Sequence, residues 1–329
     1  MKIKVAIIGL GAMGKNHARV LTRIPSAALA AVCDVDGKAA TAVAQEYGCR
    51  AYTKIESLLK ETACEAAIVA VPTQLHFRVA SMCLKAGLHV LVEKPITDSL
   101  SQARSLQLLA AQKKRILTVG HVERFNPAVQ KLHSIIQQGK LGTITSIVIR
   151  RVGGFPPHNL HSDVITDLAV HDIDICNALL RDVPKGVAAV GRRALQQKYI
   201  DSAELLLQYP TGVSAYIQVN WITPVKIRTL AVTGTKGYAE LNYITQKLTM
   251  FKTRWQRKTG QETGNFADFM LTFGEPEKTE VHVPAAEPLK TELENFLRAI
   301  QGKKKLVVTP DQATAALKVA KQALTSIRR

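Results

Sequence analysis

Several things are scarce in this chain, and each scarcity closes off a class of protein. Its five cysteines, Cys33, Cys49, Cys64, Cys83 and Cys176, are odd in number, scattered and never spaced as Cys-x-x-Cys. That argues against a disulfide framework and against a thiolate zinc site, and no metal is expected. No apolar run approaches the roughly 18 residues that a membrane-spanning helix needs, so membrane insertion is not expected. Acidic residues are few beside basic ones, 26 against 44, giving a formal net charge of +18. Such a balance draws polyanions of any kind, whether nucleic acid, membrane surface or a nucleotide-linked substrate. The most basic stretches, 247–258 and 298–329, lack aromatic interleaving and any reader motif, so nucleic acid is not an expected partner. The opening Met-Lys-Ile-Lys-Val runs straight into a glycine-rich turn without a signal-peptide pattern, and a cytoplasmic location is expected.

What is present reads as a folded protein. With 329 residues, 47% of them hydrophobic, the chain is too long for one comfortable core and suits two domains of roughly 100–200 residues. Residues 2–8 form a β-branched run that leads into Gly9-Leu-Gly11-Ala12-Met13-Gly14, and apolar residues then recur with helical spacing. A second strand, 28–32, ends at Cys33-Asp34, so a carboxylate lies about 20 residues past the glycines at a strand end. Strand, glycine turn, helix and acid together make a dinucleotide fingerprint. The glycines permit a tight turn and close backbone approach, the helix N-terminus faces the pyrophosphate, and the acid accepts ribose hydroxyls. Asp34 also favours NAD over NADP, whose 2′-phosphate would meet its negative charge.

Helices predicted at 38–47, 54–60, 74–86 and 99–114 alternate with strands at 66–70, 89–92 and 116–120, which implies a parallel sheet covered on both faces. Ligands of such sheets bind beyond the carboxyl ends of the strands. Three ends stand out: Val71-Pro72-Thr73 through His76, Glu93-Lys94-Pro95, and Gly120-His121 through Arg124-Phe125-Asn126. From about residue 143 the pattern changes. Strand 143–152 and runs at 187–193, 203–209, 213–221, 227–233, 237–242 and 246–251 are joined by short turns, which is hairpin chemistry and implies an antiparallel sheet. Helices are predicted at 126–138, 288–301 and 310–328. The fold class expected is thus α/β: a doubly wound parallel sheet in residues 1–122, then an α+β domain in 123–329 built on a large, mostly antiparallel sheet.

Between these parts lies Asp163 through Asp174, with apolar residues in the gaps. On a helix Asp167 and His171 stand one turn apart on one face. A carboxylate there would orient a proton-transferring imidazole. The same spacing also fits a solvated stripe of Asp163, Asp167, His171 and Asp174, and the residues alone leave both readings open.

The Gly-x-Gly-x-x-Gly turn, Val71-Pro72 with His76, Glu93-Lys94-Pro95 and Asp167-x-x-x-His171-Asp172, in this order and approximate spacing, resemble the Gfo/Idh/MocA oxidoreductases over nearly the whole chain. The resemblance implies an NAD-dependent enzyme whose open sheet face supports a homo-oligomer, dimer or tetramer. It puts Lys94, Asp167 and His171 on the catalytic positions and Gly9, Gly11, Ala12, Met13, Gly14, Asp34, Pro72, Thr73, His76, Glu93, Lys94 and His121 around the cofactor. Lys94, Arg124, Phe125, Arg151, Asp167 and His171 are expected to touch substrate. Within the family, GHVERFNPAV, RVGGFPP and DLAVHDIDI are similar to dehydrogenases that oxidise C3 of UDP-N-acetylglucosamine, whose product an aminotransferase carries towards the 2,3-diamino sugar of lipid A. For such a UDP-sugar, some of Arg124, Arg150, Arg151 and Lys226 would meet the diphosphate. A dehydrogenase of inositol or a free sugar is the second enzyme reading, and a non-catalytic NAD-binding regulator is the reading from another class.

Overall fold

The structure, a computed structural model, describes residues 2–155, 162–252 and 276–327. By compactness it divides into two units, and neither is continuous in sequence. One comprises residues 1–125, 165–175 and 286–325; the other comprises 126–164, 176–285 and 326–329. The sequence reading places a single cut between 122 and 123. Two later segments return to the first unit, and residues 286–325 do so with apolar side chains, Leu293, Phe296 and Leu317 among them, that complete the clusters begun by the N-terminal half.

In the first unit, strands β1 (Ile3–Ile8), β2 (Ala27–Cys33), β3 (Arg50–Tyr52), β4 (Ala66–Val69), β5 (His89–Glu93) and β6 (Leu117–Gly120) form a parallel sheet in the order β3-β2-β1-β4-β5-β6. The three-residue β3 was too short to carry a legible period. Its existence rests on pairing Arg50 to Tyr52 with Ala31 to Cys33. Helices α1 (Ala12–Leu21), α2 (Gly37–Tyr47) and α8 (Pro288–Ile300) cover one face through Val20, Leu21, Val43, Leu293 and Phe296. Helices α3 (Ile55–Glu61), α4 (Thr73–Lys85), α5 (Leu100–Gln112) and α9 (Pro310–Ile327) cover the other through Leu58, Leu84, Leu106 and Leu317. Buried on both faces, the central strands read as continuous apolar runs, as parallel sheets require. Local chemistry sets the helix ends: Asp36 caps α2 by accepting from the Lys38 and Ala39 amides, and Gly48 closes it in the left-handed region.

In the second unit, α6 (Pro127–Gln137) precedes β7 (Ile144–Val152), and β8 (Gly186–Arg192) through β14 complete an eight-stranded sheet. Its remaining strands are β9 (Ser202–Gln208), β10 (Ser214–Asn220), β11 (Ile227–Gly234), β12 (Gly237–Asn242), β13 (Lys247–Lys252) and β14 (Glu277–Val281). The order is β14-β13-β12-β11-β7-β10-β9-β8, and only β7 with β10 runs parallel. β14 was not expected from sequence, since all but one of its five residues are exposed and they carry no apolar alternation. Strict alternation elsewhere splits the sheet into a buried face with Ile147, Ile149, Leu205, Leu207, Ala215 and Ile217, and an open face with Val148, Leu206 and Tyr216.

Helix α7 (Val170–Leu180) follows a π-helical turn, Ile165–Ala169. Its residues are largely buried, Asp172 and Asp174 among them, rather than presenting one wet face.

Candidate functional site

Every strand of the parallel sheet ends on the same edge, and the chain order reverses between β1 and β4, which makes the crevice where such sheets bind nucleotides. Gly9, directly after β1, has φ +91° and a Cβ there would stand 2.5 Å from the Ala70 carbonyl oxygen. A Cβ on Gly14 would overlap the Gly9 carbonyl, so only glycines let α1 start this close to β1 and β4. Gly11 is different, because a Cβ on it would meet nothing within 4 Å. It is the N-cap of α1 and no side chain caps it. Gly11, Ala12 and Met13 are exposed, leaving the first-turn amides of α1 facing open space suited to a pyrophosphate. Asp34, half-buried past β2, accepts from the Leu10 amide at 2.6 Å and the Asp36 amide at 2.9 Å. Each of its oxygens keeps a second lone pair for a ribose hydroxyl. The residues present therefore fit NAD.

Beyond β5, the Lys94 ammonium donates to Asp167 Oδ1 at 2.7 Å and to the Asp167 carbonyl at 2.8 Å. Both side chains are mostly but not fully enclosed. His171 lies four residues on, half-buried, and packs edge-on against His121 with ring centroids 6.1 Å apart. Thus residues 73 positions apart in sequence meet where the sheet ends. The solvated-stripe reading fails here, because Asp174 is buried and Asp163, Asp167 and His171 are half-buried. Asp174 instead pairs with Arg124 Nε at 3.0 Å and lies 3.8 Å from His121 Nδ1. Burial holds His121 below the ordinary histidine range although Asp174 opposes it.

Other expected site residues turn out to support the edge from beneath. Glu93 is buried: its Oε1 meets His17 Nε2 at 2.8 Å and its Oε2 accepts from the Lys94 amide at 3.3 Å. Burial pushes this carboxyl up, but the His17 bond, then the His17 and Lys94 charges, hold it below the usual carboxylate range. His76, expected beside the cofactor, is also buried, with Nδ1 2.8 Å from the Pro95 carbonyl oxygen and Nε2 2.9 Å from that of Val71, of which a neutral ring donates to one. It ties the loops after β4 and β5 together, while Pro72 and Thr73 open α4 at the rim. Phe125, expected to touch substrate, is 3% exposed and belongs to the apolar core. It closes a 3₁₀ turn, Val122–Phe125, that rotates its ring inward.

In the second unit, successive residues of β7 face opposite ways. Arg150 lies on the open face, bonded to Gln218, whereas Arg151 is buried with its guanidinium 4.9 Å from the centre of the Tyr243 ring. The two cannot serve one anion site. Lys226 is exposed. Phe155 stacks edge-on with Trp221 at 5.7 Å, and Pro156 and Pro157 lie outside the described residues.

Sequence reasoning missed His17, three residues past Gly14, and Glu292 on α8. The signal for His17 was a polar residue on the apolar stripe of a helix, which periodicity treats as noise. Among the described residues no group of three or more metal-ligating side chains could hold an ion, and no helix is long and apolar enough to cross a membrane.

Residues 3–121 match the model of an oxidoreductase family with an NAD-binding Rossmann fold, GFO_IDH_MocA, and residues 129–240 match the GFO/IDH/MocA C-terminal domain. The chain is 30% identical to UDP-N-acetylglucosamine 3-dehydrogenase of Acidithiobacillus ferrooxidans, over 91% of this chain and 88% of that one. The solved structure of that enzyme superposes with a TM-score of 0.85, covering 99% of this chain and 98% of that one at 27% identity. Similarity to scyllo-inositol 2-dehydrogenase (NAD(+)) of Bacillus subtilis is 26% identity over 99% of this chain and 94% of the other. Inositol 2-dehydrogenase 2 of Saccharopolyspora erythraea is 31% identical over 67% of each chain. With a glycine turn that fits NAD and both halves matched, the chain belongs to the Gfo/Idh/MocA family of NAD-dependent oxidoreductases.

Proposed function

We propose that this oxidoreductase acts on a CH–OH group, the C3 hydroxyl of UDP-N-acetylglucosamine, giving the 3-keto sugar. The observation that carries the catalytic part is the Lys94–Asp167 pair at 2.7 Å, with His171 one turn on, at the edge that also holds the glycine turn. Bound NAD supplies the hydride acceptor. Loss of hydride must be matched by loss of the hydroxyl proton. Lys94, held in place by Asp167, stabilises the developing alkoxide, and His171 takes the proton. Asp167 positions the lysine through both its carboxylate and its carbonyl.

The substrate choice rests on the likeness to the Acidithiobacillus enzyme over nine-tenths of the chain. The excess of basic over acidic residues suits a diphosphate-bearing sugar. The product is a ketone, and a pyridoxal-phosphate aminotransferase is the reaction class that would consume it on the way to a 2,3-diamino sugar of lipid A. The test is formation of NADH with UDP-N-acetylglucosamine, compared with myo- and scyllo-inositol, and with UDP as competitor. Turnover of an inositol alone, uninhibited by UDP, would move the assignment to an inositol dehydrogenase. No turnover of any sugar despite tight NAD binding would favour a regulator.

The open face of the eight-stranded sheet fits a second copy of this chain. Leu206 pairs with Tyr216, and Tyr216 with Val148, in one apolar row across three strands, all exposed. A row of that kind on a folded sheet marks an interaction surface.

A further inference from the structure

We propose that Glu292 is a positioning residue for the Lys94 site, acting through Glu93. The inference rests on the reading of Lys94 as catalytic. On β5, Leu91 and Glu93 point to the same face, and Leu91 packs in the cluster that holds Leu293, Phe296 and Leu297 of α8. Glu93 therefore projects between α1, which supplies His17, and α8, which supplies Glu292. Glu292 is 2% exposed, and among the described residues neither carboxyl oxygen has a hydrogen-bond partner. His17 Nδ1 is likewise without one.

An unpartnered buried carboxyl is costly, and leucine or glutamine would fill the same space at less expense, so its presence calls for a role. The charged and titratable groups on the elements packed against α8 are His89 and Glu93 on β5, Lys15, His17 and Arg19 on α1, and Glu123 and Arg124 on the 3₁₀ turn. Arg19 is taken up by Glu287, and Arg124 by Asp174. Burial first, and then the charge of Glu93, push the Glu292 carboxyl well above the ordinary range. It stays protonated beside an ionised Glu93, so this buried cluster holds one carboxylate charge, on the residue bonded to His17. Glu93 can then remain fixed against the Lys94 amide. If Glu292 ionised, two buried carboxylates would oppose each other, and Glu93 or α8 would have to shift. Because its folded-state affinity for the proton is raised, Glu292 contributes its full stability below the unfolded carboxylate value, and that contribution falls as pH rises towards the folded one.

The test compares wild type, Glu292→Gln and Glu292→Leu. Thermal melts of the cofactor-free protein, between about pH 5 and 9, should show the advantage of Glu292→Gln over wild type growing with pH. The alkaline limb of kcat for UDP-N-acetylglucosamine oxidation should move up by about one pH unit or more in Glu292→Gln, with KM for NAD little changed. Glu292→Leu controls for shape: it too should lose the pH slope of the melts. A melting difference that stays constant across pH, or superimposable alkaline limbs, would overturn the proposal. Normal turnover by Lys94→Ala would instead overturn the catalytic reading on which it rests, and the melts remain decisive for Glu292 in either case.

Discussion

The carboxyl edge of the parallel sheet and the open face of the antiparallel sheet use the same kind of backbone for opposite ends. At the edge, polar side chains are drawn in from solvent and spent on one another: Glu93 on His17, His76 on two carbonyls, Lys94 on Asp167, Arg124 on Asp174. On the open face, apolar side chains stand outside, with Leu206 51% exposed although its neighbours Leu205 and Leu207 are fully buried. Polar groups buried in advance of any ligand fix a geometry, because each is too costly to leave unpaired. Apolar groups left in water fix no geometry of their own and are satisfied only by another surface. Chemistry is thus to be sought at the first and assembly at the second.

The sharpest way to break this contrast is at Lys94. Lys94→Ala should lower kcat by about 10²–10⁴ while the dissociation constant of NAD changes far less, as read by steady-state kinetics and cofactor titration. His171→Ala should fall in the same range. A smaller effect is expected on the buried side of β9, where Leu205→Ala should cost about 2–5 kcal/mol in chemical unfolding. Leu206→Ala, one residue along, should cost within about 0.5 kcal/mol if the surface rule holds for the separated chain. Leu206→Lys sharpens the point: it should leave the unfolding midpoint of the separated chain almost unchanged and shift the mass by light scattering towards a single chain. At the edge, Gly120→Ala sets a new methyl carbon 2.9 Å from Glu93 Oε2, and overpacking of this sort costs about 1–3 kcal/mol. Its melting temperature should fall by a few degrees, by about 2–4 °C per kcal/mol for a unit of this size.

Linkage at Glu93 supplies the last test. Its carboxyl is held below the ordinary range, so the stability it adds is present above the unfolded value and is lost as pH falls through the folded one. Glu93→Gln should therefore flatten the acid side of the stability curve, whereas Glu292→Gln flattens the neutral-to-alkaline side. Thermal melts against pH distinguish the two carboxyls although they share one cluster.

Much of the frame was legible in the chain. The glycine turn, its acid at Asp34 and the alternating helices and strands predict the parallel sheet, and the turn-punctuated runs after residue 143 predict the larger one. The short strand Arg50–Tyr52 escaped because three residues carry no period, and the exposed strand Glu277–Val281 because it has no apolar face. At the site, Lys94 was marked by its place between strand and proline. The roles of its neighbours were not, because a histidine that binds a cofactor and one that clamps two loops have the same letter. His76 and Phe125 were placed at the ligand on chain position, and their burial shows that position near an edge does not say which way a side chain turns.

The sequence by itself determined the parts governed by short-range periods: which segments are strands or helices, where the glycines must lie, and which residues end a strand at the reactive edge. Only the tertiary structure decided which of those residues meet. Lys94 and Asp167 are 73 positions apart, Glu93 and His17 are 76, and the return of Glu292 to the first unit crosses most of the chain. Such pairings follow from the packing of whole layers, a long-range sum of burial over many side chains, and no local pattern of residues contains that sum.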